Sequence, residues 1–181
     1  MPTFHPFKVS EIERTTADAV VVSFEIPYHL KSTYSFISGQ YVSFETEING
    51  VRVRRSYSLC STPDQPILSV GVKEVPKGVF SSYINQSLRV GDSLNISPPE
   101  GRFFYDSPNE NHSILAIAAG SGITPIFSIL NSFLMNNKFG VFTLIYGNKN
   151  PGQTMFYKEL KTLEEKHPEQ LKIFWVFSQS N

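Results

Sequence analysis

SILAIAAGSGITP, residues 113–125, is the most informative stretch of this chain for its fold. Its first seven residues form a continuous apolar run, which is typical of a strand covered on both faces of a parallel sheet. A glycine turn follows, and then a proline, which is favoured at the start of a helix. The stretch therefore predicts a strand, a turn and a helix, the arrangement in which α/β sheets bind ligands. It matches neither G-x-G-x-x-G nor the Walker A pattern, and a tight turn without a ligand stays open.

Downstream of this stretch, the alternation of strand and helix continues. Apolar residues recur at helical spacing over 126–134, and again at positions 156, 160 and 163. Residues 141–146 and 171–177 are apolar enough for two further buried strands. The order predicts a parallel sheet built from right-handed crossovers. Because three strands make a thin sheet of this type, we expect an incomplete nucleotide-binding domain.

Upstream, residues 1–107 show the period of strands. Every second residue of AVVVSFEI, residues 19–26, is apolar. Turn residues separate further short strands, and one short helix interrupts them; the predicted strands are 40–46, 55–59, 67–75 and 93–97, and the helix lies at about 81–86. This spacing predicts an antiparallel barrel or sandwich. We expect two domains, 1–107 and 112–181, joined by a linker over 106–112.

Composition narrows the classes of function. The chain has 16 Lys and Arg and 16 Asp and Glu, so no long-range attraction to nucleic acid or to an anionic membrane is expected. No apolar run approaches the roughly 18 residues that span a bilayer, and the N-terminus lacks an apolar signal region; we expect a cytoplasmic protein. Cys60 is the only cysteine, and no metal site is predicted. The histidines lack ligand spacing and are expected at the surface: His5, His29, His112 and His167.

Three other segments suit a flat cofactor that carries phosphate. RSYS, residues 55–58, combines a guanidinium with a ring and hydroxyls, although an ordinary strand with a solvated face explains it as well. KEVPKGVFSSY, residues 73–83, sets Gly78 before amides that open a helix and hold an anion, or before an ordinary capped helix. Tyr146, Gly147 and Asn148 leave the second parallel strand at the edge that also carries the turn at 120–125.

The order and spacing of these segments resemble the ferredoxin–NADP reductase superfamily over essentially the whole chain. In that family a Greek-key antiparallel β-barrel binds FAD, and an α/β parallel-sheet domain binds NAD(P)H. Its Arg-x-Tyr-Ser motif matches Arg55, Tyr57 and Ser58. Its K-G-x-x-S segment matches residues 77–81, the P-x-G-x-F segment that closes the barrel half matches 99–103, and its G-[ST]-G-I-[AT]-P turn matches 120–125. The resemblance implies an FAD-dependent NAD(P)H oxidoreductase.

The resemblance also implies roles for single residues. Arg55 would pair with the FAD pyrophosphate, Tyr57 would lie against the isoalloxazine or ribityl chain, and Ser58 would reach flavin N5. Tyr57 and Ser58 are therefore the candidate catalytic residues. The full set of candidate cofactor-binding residues is Arg55, Ser56, Tyr57, Ser58, Val72, Lys73, Gly78, Val79, Phe80, Ser81, Ser82, Gly120, Ser121, Gly122, Ile123, Thr124, Pro125, Tyr146, Gly147, Asn148, Ser178 and Gln179.

Within the superfamily, residues 3–27, 54–61 and 116–130 look closest to reductase components of the phenylacetyl-CoA epoxidase system. That likeness implies electron flow from NADPH through FAD to a [2Fe-2S] cluster in a C-terminal ferredoxin-type domain, and then to a di-iron oxygenase. The cluster's cysteines and the family's Cys-Gly motif would lie beyond residue 181, and Cys60 cannot supply them. Phosphate-selective members place Arg after the Ser that follows the third strand, whereas Gln179 follows Ser178 here. The choice between NADPH and NADH therefore stays open.

Two other functions fit the same residues. The chain would serve as a flavin-binding electron-relay or regulatory module if it bound FAD without NAD(P)H turnover. It would be a related reductase if its acceptor were a haem or a different oxygenase.

Overall fold

The computed structural model describes residues 3–105, 112–137 and 139–179. These ranges contain two sheets that follow one another along the chain. The strands are β1 (His5–Thr16), β2 (Ala19–Glu25), β3 (Tyr41–Ile48), β4 (Val51–Ser58), β5 (Ile67–Lys73), β6 (Ser93–Ile96), β7 (Ile114–Ala119), β8 (Phe142–Asn148) and β9 (Leu171–Phe177). The α-helices are α1 (Val79–Ser82), α2 (Ile123–Asn136) and α3 (Tyr157–Lys166).

Strands β1 to β6 form an antiparallel sheet in the order β4-β3-β6-β1-β2-β5. A bridge between Leu59, directly after β4, and Val70, in the middle of β5, joins the two edge strands and closes the sheet into a barrel. The alternating residues of β2 point into this barrel, where Val20, Val22 and Phe24 are at most 1% exposed. The predicted antiparallel barrel is therefore confirmed.

The first strand and the strand ends differ from the prediction. β1 is absent from the predicted set because its register shifts between Val9 and Glu11 and between Arg14 and Thr16, and such bulges interrupt the alternation of apolar and polar residues. The predicted strand at 55–59 begins earlier, at Val51. The other four predicted strands of the barrel agree with the observed ones to within two residues at each end.

The predicted helix at 81–86 begins two residues earlier, at Val79, and its hydrogen bonding changes from α-helical to π-helical along its length. The single α-turn of α1 continues as a π-helical turn over Tyr83–Ser87. Within this turn the Asn85 side-chain Nδ2 donates to the main-chain oxygens of Val72 and Ser81, at 3.1 and 2.9 Å. The turn is thereby fixed to the end of β5, which places α1 beside β4.

Strands β7, β8 and β9 form the predicted parallel sheet, in that order. Helices α2 and α3 pack on one face, over Ala116, Leu144 and Tyr146. No described residue covers the opposite face, where four apolar side chains are more than half exposed: Leu115, Ile117, Phe174 and Val176. The prediction that the first of these strands is covered on both faces is therefore wrong. Right-handed crossovers that add strands in one direction place both helices on the same side.

The two sheets meet along β5 and α2. A Cβ atom added to Gly71 in β5 would lie 2.7 Å from Cγ2 of Thr124 and 2.8 Å from Cε of Met155, so the approach requires glycine. Beside this contact the Ser128 hydroxyl donates to the main-chain oxygen of Ser61 at 2.6 Å. Both contacts are buried, and they fix α2 against the barrel.

The predicted linker at 106–112 lies outside the described residues except for His112. The boundary between the two predicted domains therefore stays a prediction. On either side of this segment, the Tyr105 hydroxyl and the His112 Nε2 form a short hydrogen bond.

Candidate functional site

The first candidate surface lies where β4 faces α1. Arg55 and Tyr57 point to the same face of β4, because strand residues alternate. The Tyr57 ring stacks on Phe80 of α1, with centroids 5.7 Å apart and an interplanar angle of 26°. Burial raises the pKa of Tyr57, and the nearby charge of Arg55 opposes this shift. The Arg55 side chain is exposed, and its guanidinium donates to the main-chain oxygen of Arg54 at 2.7 Å. A half-buried ring thus lies beside an exposed cation.

The two serines of the same motif differ in how they are held. The Ser56 and Ser43 hydroxyls share a hydrogen bond of 2.9 Å across β3 and β4, so Ser56 is engaged on the face opposite Tyr57. Ser58 is half-buried at the end of β4, opposite Tyr41. The alternation therefore places Ser58 and Tyr57 on opposite faces of β4.

The second predicted segment forms a tight turn before α1. The Ser81 hydroxyl accepts from the Val75 amide at 3.1 Å and donates to the Gly78 oxygen at 3.3 Å. A Cβ atom at Gly78 would lie 2.5 Å from this hydroxyl, which explains the glycine. The Ser82 hydroxyl donates to Glu74 at 2.9 Å. Both hydroxyls therefore stabilise the turn. Two further predicted residues, Val72 and Phe80, are buried, whereas Val79 is exposed.

A cleft of about 460 Å³ lies on the other side of β5, where the barrel meets the carboxyl ends of the parallel strands. The Lys73 side chain enters it and donates from Nζ to the main-chain oxygen of Gln153 at 3.2 Å. The lining residues are Asp18, Lys73, Gly120, Gly147, Asn148, Lys149, Gln153, Val176 and Ser178. The structure thus separates Lys73 from the β4 surface and joins it to the glycine turn and to the loops after β8 and β9.

The glycine turn is a 3₁₀ turn over Gly120–Gly122 that leads into α2. Gly120 has φ +52°, and a Cβ atom on either Gly120 or Gly122 would have no heavy atom within 4 Å. The turn therefore presents bare main chain to open space. Ser121 is exposed and Pro125 half-buried, whereas Ile123 and Thr124 are buried. These two buried side chains hold the first turn of α2 in place.

Tyr146 supports this turn from beneath the sheet. It is fully buried, and its hydroxyl donates to the main-chain oxygens of Gly120 at 2.9 Å and Met155 at 3.3 Å. Burial raises the pKa of Tyr146, and the Asn148 side chain partly offsets the shift. Its side chain faces the helices, so any contribution of Tyr146 to the cleft is indirect.

Two polar atoms of the cleft residues are buried without a hydrogen-bond partner in the part of the chain that the structure describes. They are Nδ2 of Asn148 and Oε1 of Gln153. The Asn148 amide lies close enough to the Tyr146 hydroxyl to lower the pKa of that hydroxyl. Nδ2 of Asn148, however, has no partner in hydrogen-bond geometry among the described residues. Unpartnered buried polar atoms are rare in native proteins, and a bound ligand or water is one common explanation.

The loop after β9 lies beside the loop after β8. The Ser178 amide donates to the Asn148 oxygen at 3.0 Å, and the Gln179 amide donates to the Lys149 oxygen at 2.9 Å. Ser178 lines the cleft, and both Ser178 and Gln179 are exposed. Sequence reasoning missed Asp18, which lies in the turn between β1 and β2 and carries no motif that marks it. It also missed Lys149 and Gln153, which follow Asn148 closely.

Neither a metal site nor a membrane span is found within residues 3–105, 112–137 and 139–179. No three His, Cys, Asp or Glu side chains there are grouped to hold a metal ion. None of the helices there is long and apolar enough to cross a membrane. His29 is exposed, whereas the other three histidines are half-buried.

Family comparisons agree with this division of the chain. Residues 6–105 match the family described as the oxidoreductase FAD-binding domain, and residues 116–181 match the oxidoreductase NAD-binding domain. The chain belongs to the ferredoxin–NADP reductase family of FAD- and NAD-binding oxidoreductases. Its expected membership of that family is therefore confirmed.

Two curated members of this family show how much of a relative the chain covers. A component of the 1,2-phenylacetyl-CoA epoxidase of Escherichia coli (strain K12) is 38% identical over 180 residues, which is 99% of this chain and 51% of that protein. The ferredoxin reductase component of 3-ketosteroid-9-alpha-monooxygenase from Rhodococcus rhodochrous is 34% identical over 94% of this chain and 48% of that protein. The chain thus spans about half the length of the curated relatives it matches.

A solved structure supports the fold. The flavohem-like FAD/NAD-binding domain of nitric oxide dioxygenase from Vibrio cholerae O1 biovar El Tor has a TM-score of 0.85 over 100% of this chain and 77% of its own. The two sequences are 24% identical, so the likeness concerns the fold alone. It confirms a barrel followed by a parallel α/β sheet.

Proposed function

We propose that this chain is the FAD- and NAD(P)H-binding part of a reductase that passes electrons from the nicotinamide to an iron centre. One observation carries the proposal: the segment from β5 to α1 borders both candidate surfaces. Lys73 enters the cleft at the glycine turn, and Phe80, seven residues later, stacks on Tyr57. A nucleotide in the cleft and a flavin at β4 would therefore be neighbours, which electron transfer between them requires.

The residues at β4 suit FAD. Tyr57 presents a half-buried ring whose other face rests on Phe80, and such rings stack against flat aromatic ligands. Arg55 is exposed, and in the part of the chain that the structure describes its guanidinium donates to a main-chain oxygen and to no carboxylate, so it is available to a pyrophosphate. Gly78 lets the chain turn tightly beside them. We assign Arg55 to the pyrophosphate and Tyr57 to the flavin ring system, with Ser58 at the end of the same strand.

The cleft suits a nicotinamide nucleotide. The bare main chain of Gly120 and Gly122 leaves room for a ligand at the carboxyl end of β7, where α/β sheets bind nucleotides. Lys73 supplies a positive charge for phosphate. Asn148 and Gln153 also line the cleft, and one buried polar atom of each has no hydrogen-bond partner among the described residues.

The protein's part in the reaction is to bind and to orient. When bound, FAD would take a hydride from NAD(P)H and release the electrons one at a time. The buried contacts of α2 with the barrel hold the cleft at a fixed distance from Tyr57. Cys60 plays no part in this scheme, because it is buried and its thiol donates to the main-chain oxygen of Ser69 at 3.3 Å.

The names of two relatives support a finer assignment. Both curated relatives described above are named as parts of oxygenase systems, one an epoxidase and one a monooxygenase. We propose that the acceptor is a [2Fe-2S] centre of a ferredoxin-type domain outside this chain, which serves a di-iron oxygenase in phenylacetate degradation. Ser178 and Gln179 would contact the adenosine part of the nucleotide, and Gln179 offers no positive charge to select NADPH over NADH.

A second candidate is a flavin-binding module without NAD(P)H turnover. The exposed apolar face of the parallel sheet favours it, because sheets of this class are normally covered on both faces. If that exposure destabilised the parallel sheet, FAD would still bind at β4, but the cleft would not bind NAD(P)H.

The test is to purify the chain, load it with FAD and add NADH or NADPH without oxygen. Loss of the flavin absorbance near ~450 nm supports the reductase, and a bound flavin that stays oxidised supports the module. Lys73→Met should slow the bleaching, whereas Lys158→Met, which removes an exposed lysine of α3 outside the cleft, should not. Absence of FAD binding would overturn both functions.

A further inference from the structure

The Asp18 carboxylate is fixed in the wall of the nucleotide cleft. Asp18 lies in the turn between β1 and β2, and its Oδ1 accepts from the Thr16 hydroxyl at 2.7 Å. Its main-chain oxygen accepts from the Glu74 amide at 2.7 Å. The carboxylate is therefore held by the barrel itself, and it lines the cleft together with Lys73 and Gly120.

This carboxylate is paired with the lysine that enters the cleft. Lys73 Nζ lies 3.5 Å from Asp18 Oδ2, and the two side chains are 25% and 39% exposed. The same Nζ donates to the main-chain oxygen of Gln153 in the other half of the molecule at 3.2 Å. If the Asp18 carboxylate released Lys73, the lysine would still donate to the Gln153 oxygen. Another anion can therefore replace the carboxylate at little cost.

The position of the pair matters more than its strength. Partly exposed ion pairs contribute little to stability. A nucleotide brings a pyrophosphate into a cleft where Lys73 and Lys149 are the positive lining residues and Asp18 is the negative one. The pyrophosphate and the Asp18 carboxylate would therefore compete for Lys73.

We propose that Asp18 is a built-in competitor of the nucleotide: it holds Lys73 while the cleft is empty and yields it to the pyrophosphate on binding. The inference rests on the proposed function, since it assumes that the cleft binds a nicotinamide nucleotide. Asp18 thereby sets the affinity for nucleotide and keeps product release easy.

The expected effect of Asp18→Asn is tighter binding. The amide keeps an oxygen for the Thr16 hydroxyl but carries no charge, so Lys73 is free to meet the pyrophosphate. ADP-ribose is a suitable probe because it carries the pyrophosphate and cannot reduce the flavin. We expect its Kd to fall about three- to fivefold at low ionic strength. The gain should shrink at high salt, because mobile ions screen the charge that was removed.

The experiment is calorimetric titration of the FAD-loaded chain and its variants with ADP-ribose at two salt concentrations. Asp64→Asn is the matched control, because Asp64 is exposed in the loop before β5, outside the cleft, and its removal changes the net charge equally. Tighter binding in Asp18→Asn alone, with the gain reduced by salt, supports the proposal. Weaker or unchanged binding in Asp18→Asn overturns it, as does equal tightening in the Asp64→Asn control.

The failure of the proposed function gives a different result. If the parent chain binds FAD but neither it nor Asp18→Asn binds ADP-ribose, the cleft is not a nucleotide site and both proposals fall. If the parent chain binds ADP-ribose and Asp18→Asn does not bind it more tightly, only the role of Asp18 is overturned.

Discussion

Replacing Gly71 with alanine should weaken the contact between the two sheets. The new Cβ would lie 2.7 Å from Thr124 Cγ2 and 2.8 Å from Met155 Cε, whereas ordinary contacts begin at 3.4 Å. Met155 can move its flexible end at little cost. Thr124 cannot, because it is buried and its hydroxyl donates to the Ser121 oxygen at 3.2 Å. Helix α2 must therefore shift by about 0.7 Å, and overpacking of this kind costs about 1–3 kcal/mol.

Urea unfolding measures this loss in two ways. Circular dichroism follows both sheets, while the fluorescence of Trp175, the only tryptophan, follows the parallel sheet. Gly147→Ala in β8 is the matched control, since its added Cβ would meet atoms only at 3.8 Å and beyond. We expect this control to change the free energy of unfolding by less than about 0.5 kcal/mol.

A rescue variant tests the mechanism. Thr124→Ser removes Cγ2 and keeps the hydroxyl, so it should restore part of the stability that Gly71→Ala loses. The reasoning is refuted if Gly71→Ala is as stable as the parent chain, or if Thr124→Ser restores nothing in its background.

Three further predictions concern binding and pH. Arg55→Ala should weaken FAD binding by about 2–4 kcal/mol, as expected when one partner of a desolvated charge pair is removed. Arg54→Ala is the control, because Arg54 lies on the opposite face of β4. Equal flavin affinity in the two variants would count against the assignment. Tyr146→Phe should lower the affinity for nucleotide, because the Gly120 carbonyl loses its donor. Titration with NADH measures this affinity. Unchanged affinity would show that the glycine turn does not depend on the Tyr146 hydroxyl. Burial raises the pKa of the Cys60 thiol to about 12 from its ordinary 9.0, so the unfolded chain loses this proton first as the pH rises. The free energy of unfolding should therefore fall between about pH 9 and pH 12, by up to about 1.4 kcal/mol per pH unit from this group; Cys60→Ala should show a smaller fall, and identical slopes in urea unfolding would contradict the prediction.

Most strands, the longer helices and the order of the two sheets could be predicted from the amino-acid sequence. The local spacing of apolar residues indicates which side chains of a segment are buried and whether it is a strand or a helix. This spacing differs between the barrel half and the parallel half, so the two could be told apart. The turn at 120–125 could also be found, because glycine and proline have fixed backbone preferences. β1 escaped prediction because its bulges break the period.

Which residues meet depends on the three-dimensional arrangement. Asp18 and Lys73 are distant in sequence, and their pairing depends on how β1, β2 and β5 align. Tyr146 belongs to a predicted motif, yet the pleat of β8 turns its ring toward the helices. The open face of the parallel sheet could not be foreseen either, because an apolar run records the capacity to be buried and not the presence of a covering element. Local sequence limits what each segment can form, whereas register and crossover direction determine its neighbours.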